Sequence, residues 1–379
     1  MNARLQQAKR LVVKVGTALI TEGPDGDLRR DWLDALADDV AQCRGRGLEV
    51  VLVSSGAIAI GRRRLKVGRR VLKLEEKQAA AAVGQIRLAH AYQQALDRHA
   101  ITVAQVLLTF GDTEQRRRYL NARNTLDTLL HYGAVPVINE NDTVATAEIR
   151  FGDNDRLAAR VAQMVGADVL VLLSDVDGLY TADPALDATA TRLPEVTRIT
   201  PEIEAMARPP LSEVGSGGMV TKLEAAKIAL AAGCHMVIAR GAPVHALAGL
   251  WQGAPATWFL AEATPLTARK RWIAGALKPA GSLSIDAGAV TALIAGKSLL
   301  PAGVVAVEGA FDRGDAVRVT GPGGDEIGRG LCAYSAIDAR RIIGHKSSEI
   351  AALLGYVGRD EMIHRDDLVL HGLEGKAAP

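Results

Sequence analysis

The stretch Leu11-Val-Val-Lys-Val-Gly-Thr17 is a short apolar run that ends in a Gly-Thr turn. Similar β-branched runs recur through the first two thirds of the chain, at 49–53, 101–108, 134–138, 168–173 and 235–239. Longer segments with helical spacing lie between them, at 32–44, 75–98, 114–132, 155–165 and 219–232. Apolar strands that alternate with helices predict a mostly parallel sheet covered on both faces, which is a three-layer α/β/α sandwich. Ligands of such a fold are expected beyond the carboxyl ends of the strands.

Glycines mark the ends of several predicted helices. Gly45, Gly133, Gly166 and Gly233 each stand directly after a helical segment. Because glycine has no Cβ, it readily adopts the left-handed conformation that commonly closes a helix. We therefore expect each of these four glycines to end the helix that precedes it.

The pattern changes after residue 267 and predicts a smaller, mainly β unit. A strand and a helix are predicted over 282–294, and β runs at 315–320 and 326–332 flank a predicted turn, GPGG (321–324). Two short helices are predicted at 336–343 and 348–354. The sequence thus predicts a first domain at 1–267, a linker at 268–280, a second domain at 281–360 and a tail at 361–379.

Composition excludes several classes of protein. The chain has 379 residues, of which 48% are hydrophobic and 23% charged, so it is expected to be globular rather than disordered. The net charge of +2 argues against a broad basic surface for nucleic acid. Three separated cysteines predict neither a disulfide framework nor a zinc site. With no apolar stretch near the roughly 20 residues that a membrane span needs and no signal peptide, we expect a cytoplasmic protein.

Lys14 is the first candidate for chemistry. A lysine inside an apolar strand is either desolvated and paired, or lies on an edge strand with its ammonium in solvent, and the sequence leaves both open. A second strand end, VLVSSGA (51–57), leads through a glycine turn into a helix, an arrangement that directs backbone N–H groups towards an anion.

Asn and Asp side chains cluster at two further positions, NEND (139–142) and FGDND (151–155). Turn and cap preferences explain one such residue easily, but not six at neighbouring element ends. A zwitterionic amino acid needs this mixture of acceptors for its ammonium and donors for its carboxylate. Oxygen ligands of a divalent cation would have the same composition, so that alternative stays open and the metal ligands are unknown.

The segment GSGGMVTK (215–222) precedes a predicted helix and is suited to phosphate. Its small residues allow close approach to backbone N–H groups, and the helix N-terminus adds partial positive charge. A lysine in a first helical turn is unfavourable for the helix dipole, and a bound phosphate would offset that cost at Lys222. The turn SDVDGLY (174–180) could contact a nucleotide, whereas GKS (296–298) and HRD (364–366) lack the partners of true kinase motifs.

Together these stretches resemble the amino-acid kinase family, and within it the kinases that phosphorylate glutamate. The matching stretches include VVKVGT (12–17), SSGAIAIG (54–61), LNARNTL (120–126), VPVINENDTVATAEI (135–149), FGDNDRLAA (151–159), GLYTADP (178–184), GSGGMVTKLEAA (215–226) and TPLTARKRWIAG (264–275). The last hundred residues resemble a PUA domain, most clearly in SLLPAGV (298–304) and IGHKSSEI (343–350). VINEND, GDND and GGMVTK in that order are far more specific than any one of them.

The resemblance implies ATP-dependent phosphorylation of the L-glutamate γ-carboxylate to L-glutamyl 5-phosphate, the first step of proline biosynthesis, with Mg²⁺ as cofactor. It assigns glutamate binding to Ser55, Asp142 and Asn154, and catalysis to Lys14, Asp155 and Lys222. Beside Lys14 and Lys222 it assigns ATP binding to Ser174, Asp175, Ser216, Gly217, Gly218, Met219, Val220 and Thr221. Ser174 stands where the family has threonine, and the hydroxyl is kept. A glutamate carboxylate is ionised at pH 7, so the site needs no general base.

The resemblance also implies partners: proline as feedback inhibitor, a homo-oligomer (dimer or tetramer) and glutamyl phosphate reductase as the next enzyme. One alternative is a carboxylate kinase of the same fold acting on aspartate or N-acetylglutamate, against which the PUA-like unit and the paired VINEND and GDND motifs argue. A PUA-containing RNA-binding protein is the other. Residues 281–379 carry ten basic and thirteen acidic side chains, a net −3 that disfavours phosphate binding, so RNA is not expected as a partner. Residues 1–280 carry the remaining +5.

Overall fold

The structure, a computed structural model, describes residues 3–22, 27–68, 70–145, 154–207, 218–275 and 278–371. The chain divides into two compact units, Met1–Pro265 and Leu266–Pro379. None of the helices within the described ranges combines the length and the apolar composition that crossing a bilayer requires.

Ten strands are described in the first unit. They are β1 (Arg10–Val15), β2 (Thr21–Glu22), β3 (Asp27–Leu28), β4 (Glu49–Ser54), β5 (Val103–Leu108), β6 (Val135–Glu140), β7 (Val169–Ser174), β8 (Glu195–Val196), β9 (His235–Arg240) and β10 (Ala256–Phe259). β2 pairs only with β3, and the others form one sheet in the order β5-β6-β4-β1-β7-β9-β10-β8. Neighbours are parallel except for β9 and β10, so the predicted mostly parallel sheet is confirmed.

The six strands predicted from sequence form the continuous parallel part of this sheet, from β5 to β9. Two strands beyond it, β8 and β10, were not predicted. β8 has two residues and β10 has four, so neither offers a run long enough to show a strand pattern.

Helices connect the strands of the first unit. They are α1 (Ala3–Gln7), α2 (Thr17–Ile20), α3 (Arg30–Gly45), α4 (Ala57–Leu65), α5 (Leu74–Asp97), α6 (Phe110–Glu114), α7 (Arg116–His131), α8 (Asn154–Val165), α9 (Pro201–Met206), α10 (Met219–Ala231) and α11 (Ala246–Trp251). Each predicted helix is present, although the segment predicted at 114–132 is largely α7, with α6 ending where it begins.

Three of the four glycines end helices as expected. Gly133, Gly166 and Gly233 have φ of +74°, +62° and +76°; Gly166 directly follows α8, and the other two lie two residues beyond the ends of α7 and α10. The prediction for Gly45 is wrong, because that residue is still helical and the left-handed position falls at Gly47, with φ +85°. Gly47 lies only two residues beyond Gly45, and composition alone does not show which of the two ends the helix.

The sheet is covered on both faces, and strand alternation decides which face each side chain meets. Leu11 and Val13 of β1 lie in a core with α3, α5 and α11, while Val12 lies in the opposite core with α7, α8 and α10. Since side chains alternate along a strand, Lys14 projects to the same face as Val12, which is the face of α8. The period of the strand therefore directs this lysine towards the first turn of α8.

Helices α4 and α5 cross in close backbone contact at glycines. A Cβ on Gly84 of α5 would lie 1.8 Å from the carbonyl oxygen of Ala57 in α4, and one on Gly61 would lie 1.7 Å from that of Ala80. Such distances leave no room for a methyl group, so these two glycines allow the helices to approach.

We expect Gly84→Ala to destabilise the protein by about 1–3 kcal/mol, because the added methyl group must push α4 away from α5. Urea denaturation of both proteins measures the difference. Gly45→Ala is the matched control: it lies in a helix with nothing within 4 Å of the added Cβ, and should leave stability unchanged or slightly raised. Equal effects of the two substitutions would contradict the close-packing explanation.

The second unit is mainly β, as expected. Its strands are β11 (Gly281–Ile285), β12 (Val304–Gly309), β13 (Ala316–Thr320), β14 (Glu326–Leu331) and β15 (Leu368–Leu370), in the sheet order β12-β11-β13-β14-β15. Its helices are α12 (Pro265–Gly275), α13 (Ala287–Ile294), α14 (Ala336–Ile342) and α15 (Ile350–Leu354). The predicted turn at 321–324 joins β13 to β14, with Gly324 at φ +84°.

Two boundaries predicted for this unit differ from the structure. The segment predicted as a linker, 268–280, is helical up to Gly275, and Ile273 of α12 is buried against Ala316 and Leu331. The segment predicted as a tail, 361–379, contains β15 and the fully buried Met362. The buried residues Ile273 and Met362 have their apolar partners on other elements of the folded unit. The assignment of domains by residue number otherwise stays a prediction.

Candidate active site

Several predicted site residues meet at the carboxyl edge of the parallel sheet. Lys14 is the penultimate residue of β1, and Ser55 directly follows β4. Asn154 and Asp155 begin α8, and Lys222 lies in the first turn of α10. This is the edge at which an open α/β sheet is expected to bind ligands.

Lys14, Asp155 and Lys222 form one buried cluster. The ammonium group of Lys14 contacts Oδ1 of Asp155, and that of Lys222 donates to Oδ2 at 3.1 Å. The Asp155 side chain is fully buried, and the two lysines are 8% and 6% exposed. Because β1 lies between β4 and β7, the edge-strand explanation of Lys14 is wrong, and the desolvated, paired one is confirmed.

The electrostatics of this cluster leave positive charge. Burial alone would raise the pKa of Asp155, but the neighbouring charges of Lys14 and Lys222 outweigh it and hold that pKa below its ordinary value. Asp155 is therefore ionised at neutral pH, and one carboxylate balances two ammonium groups. The cluster carries a net +1, which suits an anionic ligand at the carboxyl edge.

The dipole of α8 stabilises one charged residue of the cluster, and the dipole of α10 destabilises another. Asp155 lies in the first turn of α8, where a carboxylate is stabilised by the partial positive charge of the helix N-terminus. Lys222 lies in the first turn of α10, where its charge is disfavoured. The ion pair with Asp155 holds Lys222 there, and the start of α10 remains a positive region.

A second group of polar side chains surrounds the amide of Asn154. Its Nδ2 lies 2.6 Å from the Ser54 carbonyl oxygen, 2.9 Å from Oγ of Ser55 and 2.8 Å from Oδ1 of Asn139. Two residues predicted to bind glutamate, Ser55 and Asn154, are therefore in direct contact. Gly56, with φ +104°, makes the turn that brings Ser55 there before α4 begins.

Asp142, the third residue predicted to bind glutamate, lies in the turn that follows β6 and is half-buried. β6 pairs with β4, so Asp142 follows the strand next to the one that leads to Ser55. The GDND stretch is described only from Asn154 onwards, and residues 151–153 lie outside the described ranges.

Apart from Lys14, the described residues predicted to bind ATP lie at the end of β7 and at the start of α10. Ser174 is the last residue of β7, and its hydroxyl donates to Oδ1 of the exposed Asp175 at 2.8 Å. Ser216 and Gly217 lie outside the described residues. The rest of that segment forms the cap and first turn of α10: Gly218, Met219, Val220 and Thr221.

Two residues not assigned to the site from the sequence are linked to Asn154, Asn139 directly and Gln85 through Asn139. Asn139 belongs to the NEND motif and is buried at the end of β6, and Gln85 of α5 accepts a hydrogen bond from its Nδ2 at 2.8 Å. The motif was a signal for Asn139. Nothing local distinguishes Gln85 in a 24-residue helix, because the residue that it bonds, Asn139, comes from β6.

The divalent-cation alternative concerns NEND (139–142) and FGDND (151–155), of which residues 151–153 lie outside the described ranges. Within the described ranges, no group of three or more His, Cys, Asp or Glu side chains is arranged to hold a metal ion. The carboxylate at the centre of the site, Asp155, is already engaged by two lysines.

Comparison with known proteins gives matches over both units. Residues 9–240 match the amino acid kinase family and residues 281–354 match the PUA domain. A glutamate 5-kinase of Paramagnetospirillum magneticum is 64% identical over 97% of this chain and 99% of its own. A glutamate 5-kinase of Bradyrhizobium sp. is 62% identical over 97% of both chains. Among solved structures, a carbamate kinase from Giardia lamblia shares the fold, with TM-score 0.50 and 16% identity over 68% of this chain and 100% of its own.

Proposed function

The chain belongs to the amino acid kinase family, and on that premise we propose that it phosphorylates the γ-carboxylate of L-glutamate with ATP. The product is L-glutamyl 5-phosphate, and the reaction is the first step of proline biosynthesis. Relatives named glutamate 5-kinase, 60–64% identical over nearly the whole chain, support this substrate. The observation that carries the proposal is the buried Lys14–Asp155–Lys222 cluster beside the Asn154 amide at one sheet edge.

The chemistry follows from the charges. A carboxylate oxygen of glutamate forms a bond to the γ-phosphorus of ATP, the bond from that phosphorus to the bridging oxygen breaks, and ADP leaves. The nucleophile is already ionised at neutral pH, so no proton has to be removed. The difficulty is repulsion between a carboxylate and a polyanion, together with charge that develops on the transferred group.

Lys14 and Lys222 answer that difficulty. Lys14 lies at the end of β1 and Lys222 in the first turn of α10, and both ammonium groups contact the carboxylate of Asp155. Both groups are therefore held in place before ATP binds. Fixed positive groups stabilise the transferred phosphoryl group without reorganisation during the reaction. Asp155 contributes by holding the two ammonium groups at one place, and the net +1 remains available.

Ser55, Asp142 and Asn154 supply the groups for glutamate in this proposal. The Nδ2 of Asn154 is already used by Ser54, Ser55 and Asn139, so its oxygen is the group left to accept from the substrate ammonium. ATP would lie on the first turn of α10 with Ser216, Gly217 and Gly218, and beside Ser174 and Asp175 at the end of β7.

We propose that Mg²⁺ enters as the ATP complex. Magnesium in phosphoryl-transfer sites commonly keeps waters and binds substrate phosphates with only one or two carboxylates. This way of binding magnesium suits the site, because its described residues include no group of three His, Cys, Asp or Glu side chains arranged to hold a metal ion. The ion would neutralise phosphate charge, while Lys14 and Lys222 act from the protein side.

The substrate assignment predicts the outcome of a trapping assay. With ATP, Mg²⁺ and hydroxylamine, the protein should form γ-glutamyl hydroxamate from L-glutamate, and far less product from aspartate or N-acetylglutamate. The acyl phosphate reacts with hydroxylamine, so colour with ferric ion reports its formation. Equal rates with all three acids, or none with glutamate, would overturn the assignment in favour of another carboxylate kinase.

Further properties are proposed on the same premise: feedback inhibition by proline, a homo-oligomer (dimer or tetramer), transfer of the product to glutamyl phosphate reductase and a cytoplasmic location. A role in RNA binding is not favoured, although the second unit matches the PUA domain. Its residues 281–379 carry a net −3, which opposes binding of a polyanion.

A further inference from the structure

Three side-chain amides form a continuous chain beside the cluster. Gln85 Oε1 accepts from Asn139 Nδ2 at 2.8 Å, and Asn139 Oδ1 accepts from Asn154 Nδ2 at 2.8 Å. Asn154 Nδ2 also donates to the Ser54 carbonyl oxygen at 2.6 Å. We call Gln85, Asn139 and Asn154 the amide chain.

One backbone oxygen sets the direction of the whole chain. The Ser54 carbonyl can only accept, so the Asn154 atom that faces it must be the nitrogen. Asn139 must then turn its oxygen to Asn154 and its nitrogen to Gln85, which in turn presents its oxygen. The nitrogen of Gln85 is therefore the donor end of the chain, and the oxygen of Asn154 is the acceptor end.

The donor end is buried and has no partner among the described residues. Gln85 is 8% exposed, and its Nε2 finds no hydrogen-bond acceptor within the described part of the chain. Buried polar groups in native proteins are nearly always hydrogen-bonded, so an unpaired amide nitrogen beside a ligand site indicates a group that a ligand pairs.

Backbone packing holds Gln85 at this place. Its neighbour Gly84 presses against Ala57 at the start of α4, where a Cβ would lie 1.8 Å from the Ala57 oxygen. Ala57 is two residues beyond Ser55, which contacts Asn154. The contact between α4 and α5 thus fixes Gln85 relative to the turn that carries Ser55.

We propose that Gln85 is a further substrate-binding residue, whose Nε2 donates to the α-carboxylate of the amino acid. An α-amino acid presents a donor, its ammonium, next to an acceptor, its carboxylate. The amide chain links the proposed glutamate-binding residue Asn154 to Gln85, whose Nε2 is the buried donor with no partner among the described residues. This inference rests on the proposed function, because it takes L-glutamate as the substrate.

The test compares L-glutamate with its α-amide, in which the α-carboxylate is replaced by a carboxamide. Gln85→Met removes the donor at similar length and should lower kcat/KM for glutamate about 10- to 100-fold, as expected for a hydrogen bond to a charged group. The kcat/KM for the α-amide should fall much less. The ratio of kcat/KM for glutamate to kcat/KM for the α-amide should therefore decrease strongly. KM for ATP should stay unchanged.

Gln93→Met is the matched control, since Gln93 is an exposed glutamine of the same helix α5. It should keep both kcat/KM values and their ratio. If Gln85→Met does not fold, Gln85→Glu replaces it: this variant keeps the acceptor for Asn139 but puts a second carboxylate against the substrate, so it should also shift preference towards the α-amide.

Two results separate the possible failures. A wild-type protein that forms γ-glutamyl hydroxamate, with a glutamate-to-α-amide ratio unaltered by substitution of Gln85, overturns this inference alone. A proportional loss with both substrates also overturns it, because such a loss indicates a structural role. A wild-type protein that does not act on glutamate removes the proposed function, and this inference with it.

Discussion

Lys222→Met is expected to lower kcat by about 10²–10³-fold while KM for glutamate changes little. Methionine keeps most of the length and bulk of lysine, so the substitution mainly removes charge. The cluster falls from a net +1 to zero, because Lys14 and Asp155 then balance each other. The lost charge acts on the transferred phosphoryl group rather than on bound glutamate, so the effect belongs to turnover.

Steady-state kinetics with glutamate and ATP varied separately measure this effect. Lys227→Met is the control on the same helix, where Lys227 lies half exposed in an ion pair with Glu204. Surface pairs contribute little, so kcat should be unchanged there. A wild-type kcat in Lys222→Met would exclude that lysine from the mechanism, and a rise in KM for glutamate alone would indicate a role in substrate binding instead.

The parallel part of the fold could be predicted because its signals are local. Each of the strands β1, β4, β5, β6, β7 and β9 has six residues and is rich in branched aliphatic side chains, so strand and helix patterns alternate visibly. β10 could not be predicted, because its four residues become a strand only by pairing with β9. The helix α12 was predicted as a linker for the same reason. Its one fully buried residue, Ile273, packs on strands of the second unit, and that contact forms only when the unit folds.

The site could be predicted in part. The place of Lys14 in an apolar strand singled it out but left open whether it is buried, and the helix start at Lys222 follows from the glycines before it. Their common partner, Asp155, lies 141 residues from Lys14 in the chain, and its role came only from the family resemblance. Gln85 was not predicted, because the amide chain forms only where side chains of α5, β6 and α8 meet in the fold. The spacing of residues along α5 alone does not indicate that contact.

Asp155→Asn is expected to reduce both stability and activity, because it leaves two buried ammonium groups side by side without a counter-charge. Removing one partner of a buried ion pair typically costs about 3–5 kcal/mol, since the remaining charge is neither solvated nor paired. Asparagine has nearly the same shape as aspartate, so lost packing contributes little. Urea denaturation gives the loss in the free energy of unfolding, and the hydroxamate assay gives the loss in activity.

The loss of stability in Asp155→Asn should depend on pH, and the direction follows from the pKa of Asp155. The pKa of Asp155 is lower in the folded protein than in the unfolded chain, so its stabilising contribution is complete above the unfolded value, about 3.9. That contribution disappears as pH falls through the folded pKa. The stability difference between the wild type and Asp155→Asn should therefore be constant from pH 8 to about pH 5 and shrink below about pH 4; a difference that grows with acid would contradict the ion-pair explanation.

A triple substitution separates the two roles of the cluster. Lys14→Met, Asp155→Leu and Lys222→Met together replace the buried charges with apolar side chains, and replacing a whole buried ionic group in this way is often neutral or stabilising. The triple variant should thus regain the stability that Asp155→Asn loses, while its activity stays at least as low as that of Lys222→Met. Recovery of activity along with stability would mean that the cluster only holds the fold, and phosphoryl transfer would then have to depend on other groups at this sheet edge.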